Sequence, residues 1–235
     1  MSDKINLHET DPEFMERYEA FAFDEVVNEK GMELEEGIRY LAILSTLIGC
    51  QGLDLYKITL SEALEHGLTP VEVKEIVYQA VDYLGMGRVY PFINATNDVL
   101  LEKGVKLPLE NQATTTMDNR LEKGAEAQVA IFGEGMREFY KGGHINRWLA
   151  ANCFGDYYTR KGLDLKQREL ITFCFLAAQG GCEPQLTSHV AGNFNLGNDK
   201  VLLMKVVSQC LPYIGYPRSL NAVSCINKVS EMQNK

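Results

Sequence analysis

The chain has 235 residues, enough for one large domain or two small ones with a substantial core. Apolar residues make up 46% and charged residues 23%, an ordinary balance for a soluble globular protein, and the net charge of −9 argues against the basic footprint of a nucleic-acid surface. Met1-Ser2-Asp3-Lys4 carries no apolar leader and no apolar run approaches membrane-spanning length, so a cytoplasmic protein without membrane or nucleic-acid partners is expected.

Helix signals dominate. Asp11-Pro12-Glu13 places a cap before a proline at the first helical position, predicting a helix to about Asn28 with Phe14, Tyr18, Phe21 and Val26 on its inner side. Lys30-Gly31 stops it. Leu34 to Ile48 reads as a buried helix, and the turn Gly49-Cys50-Gln51-Gly52 leads to a third that ends at His66-Gly67. Thr69-Pro70 caps a fourth over Val71 to Leu84, where Val73, Ile76, Val77 and Ala80 recur at helical spacing. Gly85-Met86-Gly87 breaks it, and a fifth runs from about Val89 to Lys103. The pattern lapses between Gly104 and Met117, where Pro108 and a threonine run have the makings of a linker. Helical segments then resume, broken by Gly133, Gly135 and Gly142-Gly143.

The densest chemistry lies in Arg168-Glu169 through His189. An apolar block, Leu170 to Ala178, turns at Gln179-Gly180-Gly181 and delivers Cys182, Glu183, Gln185 and His189 within eight residues. The second half also echoes the first. Lys30-Gly31-Met32-Glu33-Leu34 matches Lys161-Gly162-Leu163-Asp164-Leu165, and Gly49-Cys50 matches Gly181-Cys182. At a constant offset of 130, Val77, Gln79, Tyr83, Gly85, Arg88 and Asn97 recur as Val207, Gln209, Tyr213, Gly215, Arg218 and Asn227, and Gly67 recurs as Gly197. Two tandem copies of one all-α unit are therefore expected, over residues 1–112 and 113–235, packed about a pseudo-twofold axis.

A helix ending in a Gly-Cys turn, a histidine eight residues before a glycine and then Gln-x3-Tyr-x-Gly resembles the carboxymuconolactone decarboxylase family, which includes the alkylhydroperoxidase D-like proteins. The resemblance covers nearly the whole chain and implies that fold, twice over. It also implies a ring-like oligomer, here a homotrimer of two-repeat chains. In alkylhydroperoxidase D-like members a glutamate precedes a CxxC and a histidine follows the first cysteine by seven residues. Glu169, Cys182 and His189 take those places, but Gln185 stands where the second cysteine would be, and a dithiol cycle needs a resolving thiol. Glu183, Gln185 and His189 look more like the decarboxylase branch, in which an acidic residue and the histidine carry the site. In the first unit the corresponding positions hold Tyr40 and Thr59, so one site per chain follows.

On this reading His189 is the acid–base group, with Glu169 or Glu183 orienting it. Alternatively, His189 is a core histidine satisfied by its neighbours, and Glu169 and Glu183 are carboxylates favoured at helix starts. Cys182, at a helix start, is the thiol to test for reactivity; the other cysteines read as free thiols, with Cys50, Cys174, Cys210 and Cys225 buried in or beside apolar helices. Arg168 and Arg218 are candidates for gripping a substrate carboxylate, with Gln185 beside them; Arg218 and its mate Arg88 could instead bind a helix C-terminal carbonyl. His144 beside Trp148 suits either a pocket entrance or a contact between subunits. His8, His66, His144 and His189 show no metal spacing and no dinucleotide fingerprint occurs, so neither metal nor cofactor is expected. The expected partner is a small-molecule substrate, an organic acid or lactone. A lyase is the first expectation, peroxiredoxin-type peroxide handling through Cys182 the second, and a ligand-binding scaffold without chemistry the third.

Overall fold

A computed structural model describes residues 6–233, and among them every regular element is helical. Three short segments come first: α1 (Leu7–Thr10), α2 (Pro12–Glu19) and, after a π-helical turn over Ala20–Glu25, α3 (Val26–Asn28). Asp11 precedes Pro12 at the start of α2, as the sequence suggested, although the Asp11 side chain makes no capping bond. Val26 is buried, but Phe14 is 63% exposed and faces away from the core, against expectation. The wide π turn between α2 and α3 breaks the 3.6-residue register that had placed both on one face.

The body of the fold is built from α4 (Glu36–Gly49), α5 (Leu53–Glu65), α6 (Pro70–Leu84) and α7 (Met86–Glu102), followed by α8 (Arg120–Phe132), α9 (His144–Trp148), α10 (Leu165–Gln179), α11 (Glu183–Asn195) and α12 (Lys200–Gln233). Residues 103–119 between α7 and α8 form the irregular strap that the proline and threonines predicted. Thr69 and Glu72 close a capping box at the start of α6, each satisfying the other's backbone N–H. Gly85 at φ 80° ends α6, and Gly215 at φ 73° breaks α12 in the same way; only glycine takes this backbone without strain. α12 is thus two helices meeting at Gly215, as α6 and α7 meet at Gly85.

α4 and α10 cross at the centre. Both are buried along most of their length, which is why their sequences read as apolar blocks rather than as one-sided stripes. A methyl group on Gly49 would lie 2.7 Å from the Ala178 Cβ and 2.9 Å from the Phe175 carbonyl oxygen, so the crossing needs glycine there. The cores interlock across this crossing: Ile171 and Phe175 of α10 pack into the first-half cluster, and Ala42 of α4 packs into the second. A reciprocal polar pair frames it. Arg168 Nη1 donates to Gln79 Oε1 at 2.8 Å, and Arg39 Nε donates to Gln209 Oε1 at 2.9 Å. Arg39 and Gln79 lie in the first half; Arg168 and Gln209 lie in the second. No helix among the described residues is long and apolar enough to cross a membrane.

Candidate functional site

α10 starts from a capping box in which Asp164 accepts from the Gln167 N–H at 2.8 Å and Gln167 accepts from the Asp164 N–H at 2.9 Å. This fixes the first turn and sends Arg168 and Glu169 into the interior, both 0% exposed. Glu169 has both carboxylate oxygens engaged. Its Oε2 meets His189 Nδ1 of α11 at 2.8 Å, and its Oε1 accepts from the Tyr158 hydroxyl at 2.8 Å. Tyr158 also lies 2.8 Å from the Thr172 hydroxyl and 2.7 Å from the Tyr83 hydroxyl, and the Cys153 thiol donates to Tyr83 at 3.7 Å. A continuous polar chain therefore runs from Cys153 through Tyr83, Tyr158 and Glu169 to His189. Burial, followed by the neighbouring acidic groups, pushes the hydroxyls of Tyr83 and Tyr158 and the thiol of Cys153 well above their ordinary ranges, so all three stay protonated.

His189 stands between two aromatic edges. The rings of Tyr83 and Phe132 each lie 5.4 Å from the imidazole in T-shaped contact. With Nδ1 held by Glu169, Nε2 has no hydrogen-bond partner among the described residues, and it is not sealed from solvent. Asn193 locks α11 onto α10 by donating to the Glu169 carbonyl at 2.9 Å and the His189 carbonyl at 2.8 Å. Gly192 makes the close approach possible: a Cβ there would sit 2.7 Å from Glu169 Oε2, 2.8 Å from Ile131 and 2.9 Å from Phe132.

The other sequence candidates do not join this cluster. Arg168 is consumed by the core: it bonds Glu75 at 3.0 Å, Gln79, and the carbonyls of Arg160 and Lys161 at 2.9 and 3.2 Å. The grip on a substrate carboxylate expected of Arg168 has no support in this placement. Cys182 precedes α11, and its thiol donates to the Leu176 carbonyl at 3.4 Å, while the Gln179 amide approaches its sulfur at 3.5 Å. By helix ends, its counterpart in the first half is Gly52, which precedes α5, rather than Cys50, which follows α4. Glu183 accepts from Asn221 at 3.3 Å and makes no bond to His189, and Gln185 is exposed. Arg218 lies beside Gly180, and its charge is felt at Cys50. Arg88 donates to the Gln179 side chain at 3.1 Å, not to a helix-end carbonyl. His144 stacks edge-on with Trp148 at the surface.

Tyr83, Tyr158, Thr172, Cys153 and Phe132 were missed as site residues. Tyr83 was within reach, because it belongs to the repeated Gln-x3-Tyr-x-Gly pattern, but sequence placed it in the half without Glu and His. Tyr158 and Cys153 lie in a π-helical segment, Leu149–Tyr158, whose irregular periodicity left no face to read.

Residues 144–228 match the Carboxymuconolactone decarboxylase family, a span that includes Tyr158, Glu169 and His189. Over this stretch, less than half of the chain, the sequence is similar to that family. A "4-carboxymuconolactone decarboxylase" of Acinetobacter baylyi is 26% identical over 126 residues, covering 48% of this chain and 87% of that protein. At this identity the likeness points to a related fold and leaves the chemistry to be argued from the Glu169–His189 pair.

Proposed function

We propose that the chain is an acid–base enzyme acting on a small carboxylated lactone or related organic acid, with His189 as the proton-transfer group and Glu169 as its orienting carboxylate. The observation that carries this reading is the 2.8 Å Nδ1–Oε2 bond from a fully buried glutamate, which leaves Nε2 of the same ring open. A carboxylate on Nδ1 fixes the tautomer and the ring plane and stabilises the imidazolium. In a decarboxylation the C–C bond to the carboxyl breaks, CO2 leaves, and the electron pair passes into the adjacent carbonyl as an enolate. His189 Nε2 then delivers a proton to carbon and regains one from solvent. Tyr158 holds the second oxygen of Glu169, so the carboxylate cannot swing away from the ring.

The name of the Acinetobacter relative suggests the first substrate to try, 4-carboxymuconolactone, followed by a panel of carboxylated lactones assayed by CO2 release. His189→Ala is expected to abolish turnover while leaving circular dichroism and oligomeric size unchanged; an unaffected rate overturns the reading.

The same proposal includes an origin by duplication and assembly as a trimer. The reciprocal Arg168–Gln79 and Arg39–Gln209 pairs and the matching breaks at Gly85 and Gly215 support the duplication. Met86 and Tyr90 after the first break are 50% and 56% exposed, and Tyr216 and Leu220 at the corresponding places after the second are each 61% exposed. Apolar side chains displayed at matching positions suit a ring in which both halves make the same kind of contact.

A further inference from the structure

A second concave surface lies outside the His189 cluster, beneath the strap that joins α7 to α8. α6, α7 and the strap enclose a cleft of about 540 Å³, a volume typical of small-molecule sites. Its floor is cationic. Lys74 is 7% exposed and donates to the neutral Asn97 side chain at 2.6 Å. No carboxylate lies within ion-pair distance of it among the described residues. The one buried acid nearby, Glu75, is 1% exposed and already shared between Arg160 at 2.9 Å and Arg168 at 3.0 Å. Two arginines for one glutamate, and a lysine with none, leave surplus positive charge under the cleft. A buried ammonium without a counter-charge is costly, and the usual remedy is an anion.

The free hydrogen-bonding groups match. Lys74 retains two Nζ protons, and neither the Asn97 Nδ2 nor the Arg160 Nη1 has an acceptor among the described residues or is sealed from solvent. All three side chains line the cleft. The Tyr78 ring carries Lys74 at 5.0 Å and Arg160 at 5.3 Å, which holds both cations in place. Val71, Leu107 and Pro108 supply apolar walls, and the other carboxylate of the lining, Glu110, is exposed on the strap. We infer that this cleft binds a small organic carboxylate, its carboxyl group on Lys74, Asn97 and Arg160 and its apolar body against Val71, Leu107 and Pro108.

Calorimetric titration of the full chain with sodium benzoate tests it, with inorganic phosphate as a second probe. Saturable 1:1 benzoate binding is expected. Lys74→Gln should weaken it about 10-fold or more, the loss of one charge-assisted contact. Asn97→Asp guards against a misfolded lysine variant: it supplies the missing counter-charge internally, so it should raise the melting temperature and abolish binding. His189→Ala should bind as the wild type does, which separates this cleft from the Glu169–His189 pair and from the fate of the proposed enzymatic activity. Benzoate binding that is lost in His189→Ala and kept in Asn97→Asp overturns the assignment. So does the absence of saturable benzoate binding, or phosphate binding as tightly as benzoate, which would mean that the apolar walls contribute nothing.

Discussion

Replacing Asp82 by asparagine should stabilise the protein, and increasingly so as pH rises. Asp82 sits on α6 beside the Tyr83 end of the polar chain. Its Oδ2 is buried without a hydrogen-bond partner, and the neighbouring Cys153 thiol offsets that burial only in part. Burial, with Asp156 nearby, pushes its carboxyl from 3.8 up to about 8. A raised folded-state value means that between these limits the folded chain holds a proton that the unfolded chain has released. Stability is therefore full at low pH and falls as pH rises through the window, by about 1.4 kcal/mol per unit. Asparagine does not titrate. The stability of Asp82→Asn minus that of the wild type should grow by about 4 kcal/mol between pH 5 and pH 8, then level off. Urea unfolding of both proteins at pH 5, 6.5, 8 and 9 measures this, and taking the difference cancels the titrations they share. A difference that stays constant within about 1 kcal/mol across the series would show that Asp82 is charged in the fold and would refute the reasoning.

Three further outcomes follow from the packing. Gly192→Ala places a methyl group 2.7 Å from Glu169 Oε2, so α11 must shift; a stability loss of about 1–3 kcal/mol and a fall in kcat of about 100-fold are expected from denaturation and turnover assays. Arg168→Met removes one of the two cations on Glu75 and the donor to Gln79, and should cost about 3–5 kcal/mol in urea unfolding, whereas a substrate-gripping arginine would change KM and leave stability alone. On the proposed trimer, Tyr90→Glu combined with Leu220→Glu should lower the mass in light scattering to that of a single chain, while either change alone leaves one half's contacts intact.

Much of the fold was legible because its punctuation is local. Thr69-Pro70, Gly85 and Gly215 act through their own backbone preferences, and the structure places helix ends at them. The Glu169–His189 pair was legible only through resemblance, since twenty residues separate the partners and helical spacing alone does not bring them together. Arg168 misled for a physical reason. An arginine beside a glutamate in an apolar block marks a buried charge that needs a partner, but the partner, Glu75, lies 93 residues away, and nothing local separates an internal partner from a substrate. Phe14 misled because a π turn shifts the faces of a helix without leaving a glycine or proline as a sign.

The crossing of α4 and α10 explains why a half without Glu and His still matters to the site. Each central helix presents its Arg to the Gln of the other half, so each half walls part of its neighbour's interior. Tyr83, four residues after Gln79, therefore lands on Tyr158 and His189. By the same geometry Tyr213, four residues after Gln209, falls within the influence of Arg39 and Tyr18 of the first half. There the position of Glu169 is taken by Tyr40, which is buried and packs on the His66 ring at 5.4 Å. No carboxylate is buried at that place, so the first half is spared the cost that Glu169 imposes on the second. One half thus keeps the Glu169–His189 pair, and the other keeps the tyrosine packed against it. On this arrangement a lesion in α6 at Tyr83 touches His189 directly, as one in α10 at Glu169 does.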